Sequence, residues 1–249
     1  MWPCLKRILT LYFSFLFRIL ILFNHREFSI ICILFHRMSD RIEPREINFL
    51  LERVLNAKSA QELDSEAFSR QMMRLSSTTF ECSGKKIPEP AASEIIIAFL
   101  QGHPGAALCR LVELRSGRSL TDQTTFGLPV SIENSFHFTI NYRHLLYSFA
   151  NAMEGSANVC REYISSSCAR AALLELESIE FAQHRDKSPT DSPTAKAISL
   201  HLTLIFNVST EKPLTAELGE QLRRAGFFPI IKEHTKSRSL FSLLSIRTC

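Results

Sequence analysis

Apolar residues return every three to four positions along most of this 249-residue chain and almost nowhere alternate. From Pro44 to Ala57, Ile47, Leu50, Leu51, Val54 and Leu55 share one face with polar residues opposite, the mark of an amphipathic helix. Ser59-Ala60-Gln61-Glu62 reads as a capping box that opens a second helix through Leu63, Phe68, Met72 and Leu75. The two predict a helical hairpin with a short joint. Ser76 to Pro90 reads as a loop, because Gly84-Lys85-Lys86 and two prolines oppose regular structure.

Ala91 to Gln101, with Ile95, Ile96, Ile97, Phe99 and Leu100, is short enough to be a buried strand. The helical patterns around it favour a helix that stops at Gly102. Pro104 to Arg115 predicts another, ended by Gly117. Ser116 to Asn134 has no periodicity and forms a long connection of the kind that often carries function. Helical spacing resumes over Phe136–Met153, Ser156–Ser165, Ser167–Ala182, Pro193–Val208 and Pro213–Ala225, with a last short element from Pro229. Only Phe136 to Ile140 shows period two, so the class expected is all-α.

Charge divides the chain at residue 37. Lys6, Arg7, Arg18, Arg26 and Arg37 face Glu27 alone in residues 1–37, and the remainder balances at 24 basic and 24 acidic residues. A neutral body lacks the Lys and Arg surplus that phosphate neutralisation demands, so nucleic acid is not an expected partner. Residues 1–37 are an apolar, basic leader with three readings: a translated leader ahead of a start at Met38, a membrane anchor through residues 8–35, or a cleaved signal. Arg18 interrupts the first apolar run, and no Ala-x-Ala site follows it. The anchor reading places the protein at a membrane; the translated-leader reading leaves it cytoplasmic, or nuclear.

The seven cysteines are scattered, with no CxxC pair, and the apolar neighbours of Cys109 and Cys160 favour buried free thiols. His137 and His144 share a helical face but lack a carboxylate or Cys at ligand spacing, so neither a metal nor a cofactor is expected. A cysteine-dependent enzyme would start from Cys160 or Cys168, yet no nucleophile elbow or phosphate-binding Gly loop accompanies them. Glu175, Glu177, Glu180 and Asp186 read as a solvated helix face. Ser188 and Ser192, each before Pro in a polar stretch, are candidate phosphate acceptors. The Asn207-Val208-Ser209 sequon falls at a predicted helix end and is discounted.

Two stretches share a motif. Leu202, Ile205, Phe206, Asn207 and Val208 form an apolar stripe ending near an Asn, followed by Gly226-Phe227-Phe228-Pro229. Tyr147 to Gly155 followed by Val159 to Ile164 repeats the unit, with Asn151 in the place of Asn207. The pattern, over about residues 142–234, resembles an armadillo repeat. The two Asn stand 56 positions apart, against roughly 40 to 47 for armadillo-type repeats, and the polar stretch His184–Thr194 accommodates the excess.

The resemblance implies a short α-solenoid, a right-handed superhelix of stacked helices over residues 38–249, whose last helices line a groove. It implies that Asn151 and Asn207 hold an extended peptide by its backbone, supported by Tyr147, His144 and Thr203. Importin-like members place a Trp one turn before the Asn, where this chain has Tyr147 and Thr203, so nuclear-signal binding is not implied. The function implied is a non-catalytic protein-binding scaffold or adaptor. A substrate-recognition subunit of a ubiquitin ligase is the alternative within that class, and a membrane-anchored protein the alternative outside it.

Overall fold

Among the described residues three long helices lie side by side in a row, Phe136–Met153 packed against Glu66–Ser83 on one side and Pro193–Thr210 on the other. The computed structural model describes residues 41–117, 119–120, 136–154, 156–177 and 193–226, all within one unit, Arg41–Glu233. Among them the elements are α1 (Pro44–Asn56), a 3-10 turn (Ala60–Leu63), α2 (Glu66–Ser83), α3 (Glu89–Gln101), α4 (Pro104–Ser116), α5 (Phe136–Met153), α6 (Ala157–Ser165), α7 (Cys168–Glu177), α8 (Pro193–Thr210) and α9 (Thr215–Arg224). The all-α class holds among the described residues. The leader, the element from Pro229, Ser188 and Ser192 lie outside them.

Local chemistry sets the boundaries, and it corrects two expectations. The capping box belongs to α1, where the Glu46 carboxylate accepts the Glu43 N–H at 2.9 Å and Pro44 opens the helix. Ser59 makes no side-chain cap, because Glu62 turns back to accept the Lys58 N–H at 3.1 Å and only a 3-10 turn forms. The helix that follows starts at Ser65, whose Oγ accepts the Phe68 N–H at 3.3 Å. It also continues to Ser83, through residues expected to form a loop. The Gly84-Lys85-Lys86 turn and the prolines act only after Ser83, and the hydroxyls before it bond within the helix: Thr79 Oγ1 donates to the Leu75 and Ser76 carbonyls at 3.1 and 3.0 Å. Thr78 Oγ1 accepts the Ile42 N–H at 3.2 Å, which ties the entry of α1 to α2.

Two consecutive groups share a short, short, long order: α3, α4 and α5 have 13, 13 and 18 residues, and α6, α7 and α8 have 9, 10 and 18. Each group turns its first corner through a left-handed residue, His103 at φ 53° and Ser167 at φ 59°. The long helices run in the same direction. Ser69, early in α2, meets His137, early in α5, at 3.4 Å, and Asn151, late in α5, reaches Ser76 farther along α2. Tyr142 pairs with His201 and Asn207 with Ala150 in the same order between α5 and α8.

Behind this row α1 packs on α3 and α4, α4 on α7, and α7 on α9. Phe68, Phe99, Leu108, Phe138, Phe149 and Tyr163 are buried. Phe99 meets Phe149 edge-on at 6.0 Å and 69°, an arrangement that aromatic quadrupoles favour.

The α3–α4 corner touches both neighbours at backbone distance. A Cβ on Gly102 would sit 2.5 Å from Leu51 of α1, and one on Gly105 would sit 2.5 Å from Ser166 between α6 and α7. Glycine is required here for close approach. Gly226, after α9, takes a left-handed conformation that ends the helix, at φ 79°. No single helix among the described residues is long and apolar enough to cross a membrane; α3 and α4 together are, but they meet at 49°.

Candidate functional site

The residues implied as partner-binding lie on α5 and α8, in the row of long helices. On α5, His137, Asn141, His144, Ser148 and Asn151 fall on one face by their spacing of four, three, four and three. That face meets the α1–α2 region at both ends. Asn141 Nδ2 donates to the Leu63 carbonyl at 2.7 Å, and Asn151 Nδ2 donates to the Ser76 carbonyl at 3.3 Å. Asn207 Nδ2 donates to the Ala150 carbonyl at 3.3 Å. Ala150 is among the last four residues of α5, whose carbonyls have no partner within their own helix, so Asn207 satisfies one of them from the next long helix. Gln221 Nε2 of α9 does the same for Ile164 in the last turn of α6, at 2.8 Å.

Both Asn amides expected to grip a peptide therefore engage the chain's own backbone. Each remains half-buried, with its donor side committed to the preceding helix. Tyr147 and Thr203 are likewise half-buried, one on each helix. The His144 ring lies 6.3 Å from that of Tyr147, and its Nδ1 is buried without a hydrogen-bond partner. Burial, and then the neighbouring Arg143 charge, push the His144 pKa down to about 3. The imidazole is neutral at pH 7 and offers a peptide no cationic contact.

Sequence reasoning passed over two clusters. Tyr142 and His201 join α5 to α8 through a buried hydrogen bond between the phenol and Nε2, and the Arg115 guanidinium of α4 lies 5.1 Å over the Tyr142 ring. Desolvation, then the Arg115 charge, hold the His201 pKa down to about 3. The second cluster pairs Cys109 of α4 with Cys168 of α7, their sulfurs 4.0 Å apart. These cysteines stand 59 positions apart, close to the 56 between the two Asn, so the repeat spacing held the signal for the pair.

Among the described residues no three His, Cys, Asp or Glu side chains converge as metal ligands would. The geometry offers interhelical hydrogen bonds, a buried neutral His pair and two adjacent thiols. No protein-family model, curated protein or solved structure matches the chain.

Proposed function

We propose that residues 38–249 form a short armadillo-like α-solenoid that acts as a non-catalytic scaffold or adaptor. It binds an extended segment of a partner protein along the row of long helices. One observation carries this reading: between the α3–α5 and α6–α8 groups, and from α6 to α9, side-chain bonds recur at nearly one sequence offset. Asn207 to Ala150, Gln221 to Ile164 and Cys109 to Ser166 each span 57 residues, and Tyr142 to His201 spans 59. A fixed offset is what stacked repeats produce, because each unit meets only its neighbours at equivalent positions. Such stacks present extended surfaces suited to binding elongated partners.

Within this reading Asn151 and Asn207 hold the long helices in register, and Tyr147 and Thr203 contact the partner. The test is site-specific photo-crosslinking in cells with the full chain, placing the crosslinker at Tyr147, at Thr203, and at exposed Arg161 on α6 as a comparison. The same partner band at Tyr147 and Thr203, absent at Arg161, is the expected result. A band that appears equally at all three sites, or at Arg161 alone, rejects the row as the binding surface.

A further inference from the structure

We propose that Cys109 and Cys168 are an oxidisable pair that closes to a disulfide in the presence of a hydroperoxide, joining α4 to α7. The pair is formed by the backbone around it. Because Gly105 has no Cβ, Ser166 packs directly against the first turn of α4, where a side chain would overlap it at 2.5 Å. Ser167 then turns left-handed at φ 59° and delivers Cys168 as the first residue of α7. The Cys109 thiol donates to the Ser166 carbonyl at 2.9 Å, and the Cys168 thiol reaches the Gly105 carbonyl at 3.5 Å. Each sulfur thus contacts the backbone that carries the other, and the two stand 4.0 Å apart.

A second observation marks the same place. Tyr163 is fully buried and its hydroxyl has no hydrogen-bond partner. Burial and then the two neighbouring sulfurs raise its pKa well above the usual phenol value. A fully buried hydroxyl without a partner is uncommon in folded proteins.

The two sulfurs have different roles. Cys109 is half-buried and within reach of a small oxidant, whereas Cys168 is fully buried and burial keeps its thiol protonated. The Cys109 thiolate attacks the hydroperoxide and becomes a sulfenic acid, releasing hydroxide from a peroxide or alkoxide from an organic one. The Cys168 sulfur then attacks that sulfenic sulfur, and the hydroxyl leaves with the thiol proton as water. One hydroperoxide is reduced and two thiols are oxidised, with no other reactant. Cys82 and Cys160, whose thiols are raised to about 11 by burial, have no such partner among the described residues and serve as internal controls.

The full-length reduced chain is treated with hydrogen peroxide under native conditions, its remaining thiols are alkylated, and its peptides are read by mass spectrometry. The expected product is a Cys109–Cys168 cross-linked peptide lighter by two hydrogens, at least tenfold above any other cysteine pair, with helix content unchanged. In Cys168→Ala the cross-link disappears and a dimedone adduct of the sulfenic acid accumulates at Cys109. Full alkylation of both thiols in the treated wild-type chain, or a cross-link from Cys109 to another cysteine, overturns the proposal. Because the wild-type measurement decides, a variant that fails to fold leaves the test intact.

Discussion

The joint between the α1–α2 pair and the α3–α5 group, and the joint between that group and α6–α8, use the same two devices with different side chains. In each, a glycine of the α3–α4 corner meets the neighbour at backbone distance: Gly102 against Leu51 and Gly105 against Ser166. In each, an Asn on the later long helix donates to a carbonyl of the earlier one: Asn151 to Ser76 and Asn207 to Ala150. Between these fixed points the contents differ. The first joint carries the polar face of His137, Asn141 and Asn151, with Ser69 and Ser76 opposite; the second carries the Tyr142–His201 bond and the two cysteines. The equivalence lies in where a glycine admits its neighbour and where an Asn donates across the joint. Similarity of the residues between those points is not required.

Gly105→Ala should break the comparison most. Its new Cβ meets Ser166 and, at 3.1 Å, the Glu162 carbonyl, which belongs to helix backbone. A loss of about 2–3 kcal/mol is expected in denaturant unfolding. Gly102→Ala should lose less, about 1–2 kcal/mol, because the Leu51 side chain can shift away. The reverse order would show that the second joint has slack the first lacks.

Acid should weaken both joints next, because the pKa values of His144, on the face toward α1–α2, and of His201, on α8, are each held down to about 3. His201 has a folded pKa of about 3 against an ordinary 6.5, so the unfolded chain takes up its proton first. This stability is fully present above about pH 6.5 and declines as pH falls toward 3. At pH 5 it amounts to a loss of about 2 kcal/mol, read as a lower unfolding midpoint. His201→Gln should flatten that part of the profile, and an unchanged slope would place the acid sensitivity elsewhere.

Smaller effects sharpen the picture. Asn207→Ala should lower stability by about 1 kcal/mol. Asn151→Ala should lower it less, since the Ser76 carbonyl keeps the Thr79 hydroxyl as a donor. Ser167→Gly should stabilise by about 0.5 kcal/mol, because glycine relieves the left-handed backbone while adding freedom to the unfolded chain. Thermal and denaturant midpoints of the three variants check both the signs and the order.

Most helices were legible because their apolar faces are periodic and their ends carry Pro44, Pro104, Gly102 or Gly117. The end of α2 was not, since Gly84-Lys85-Lys86 and the prolines act only after Ser83, and the Thr78 and Thr79 hydroxyls before it bond within the fold. Asn151 and Asn207 stood out in the sequence, but only the arrangement of helices determines which carbonyl each amide reaches. The cysteine pair had only the repeat spacing as its signal: thiols 59 residues apart become neighbours through a corner that no local pattern specifies.

The bonds between groups also bear on how the chain finds its structure. The bonds joining one group to the next close segments of 57 to 78 residues within a chain of 249. Closure entropy grows only with the logarithm of such a length, so the 75-residue span from Ser76 to Asn151 is little harder to close than the 57 from Ala150 to Asn207. Each group has only its predecessor to find. Appending another group would lengthen the protein while leaving the search for any one joint unchanged, so such a chain can zip outward from whichever joint forms first.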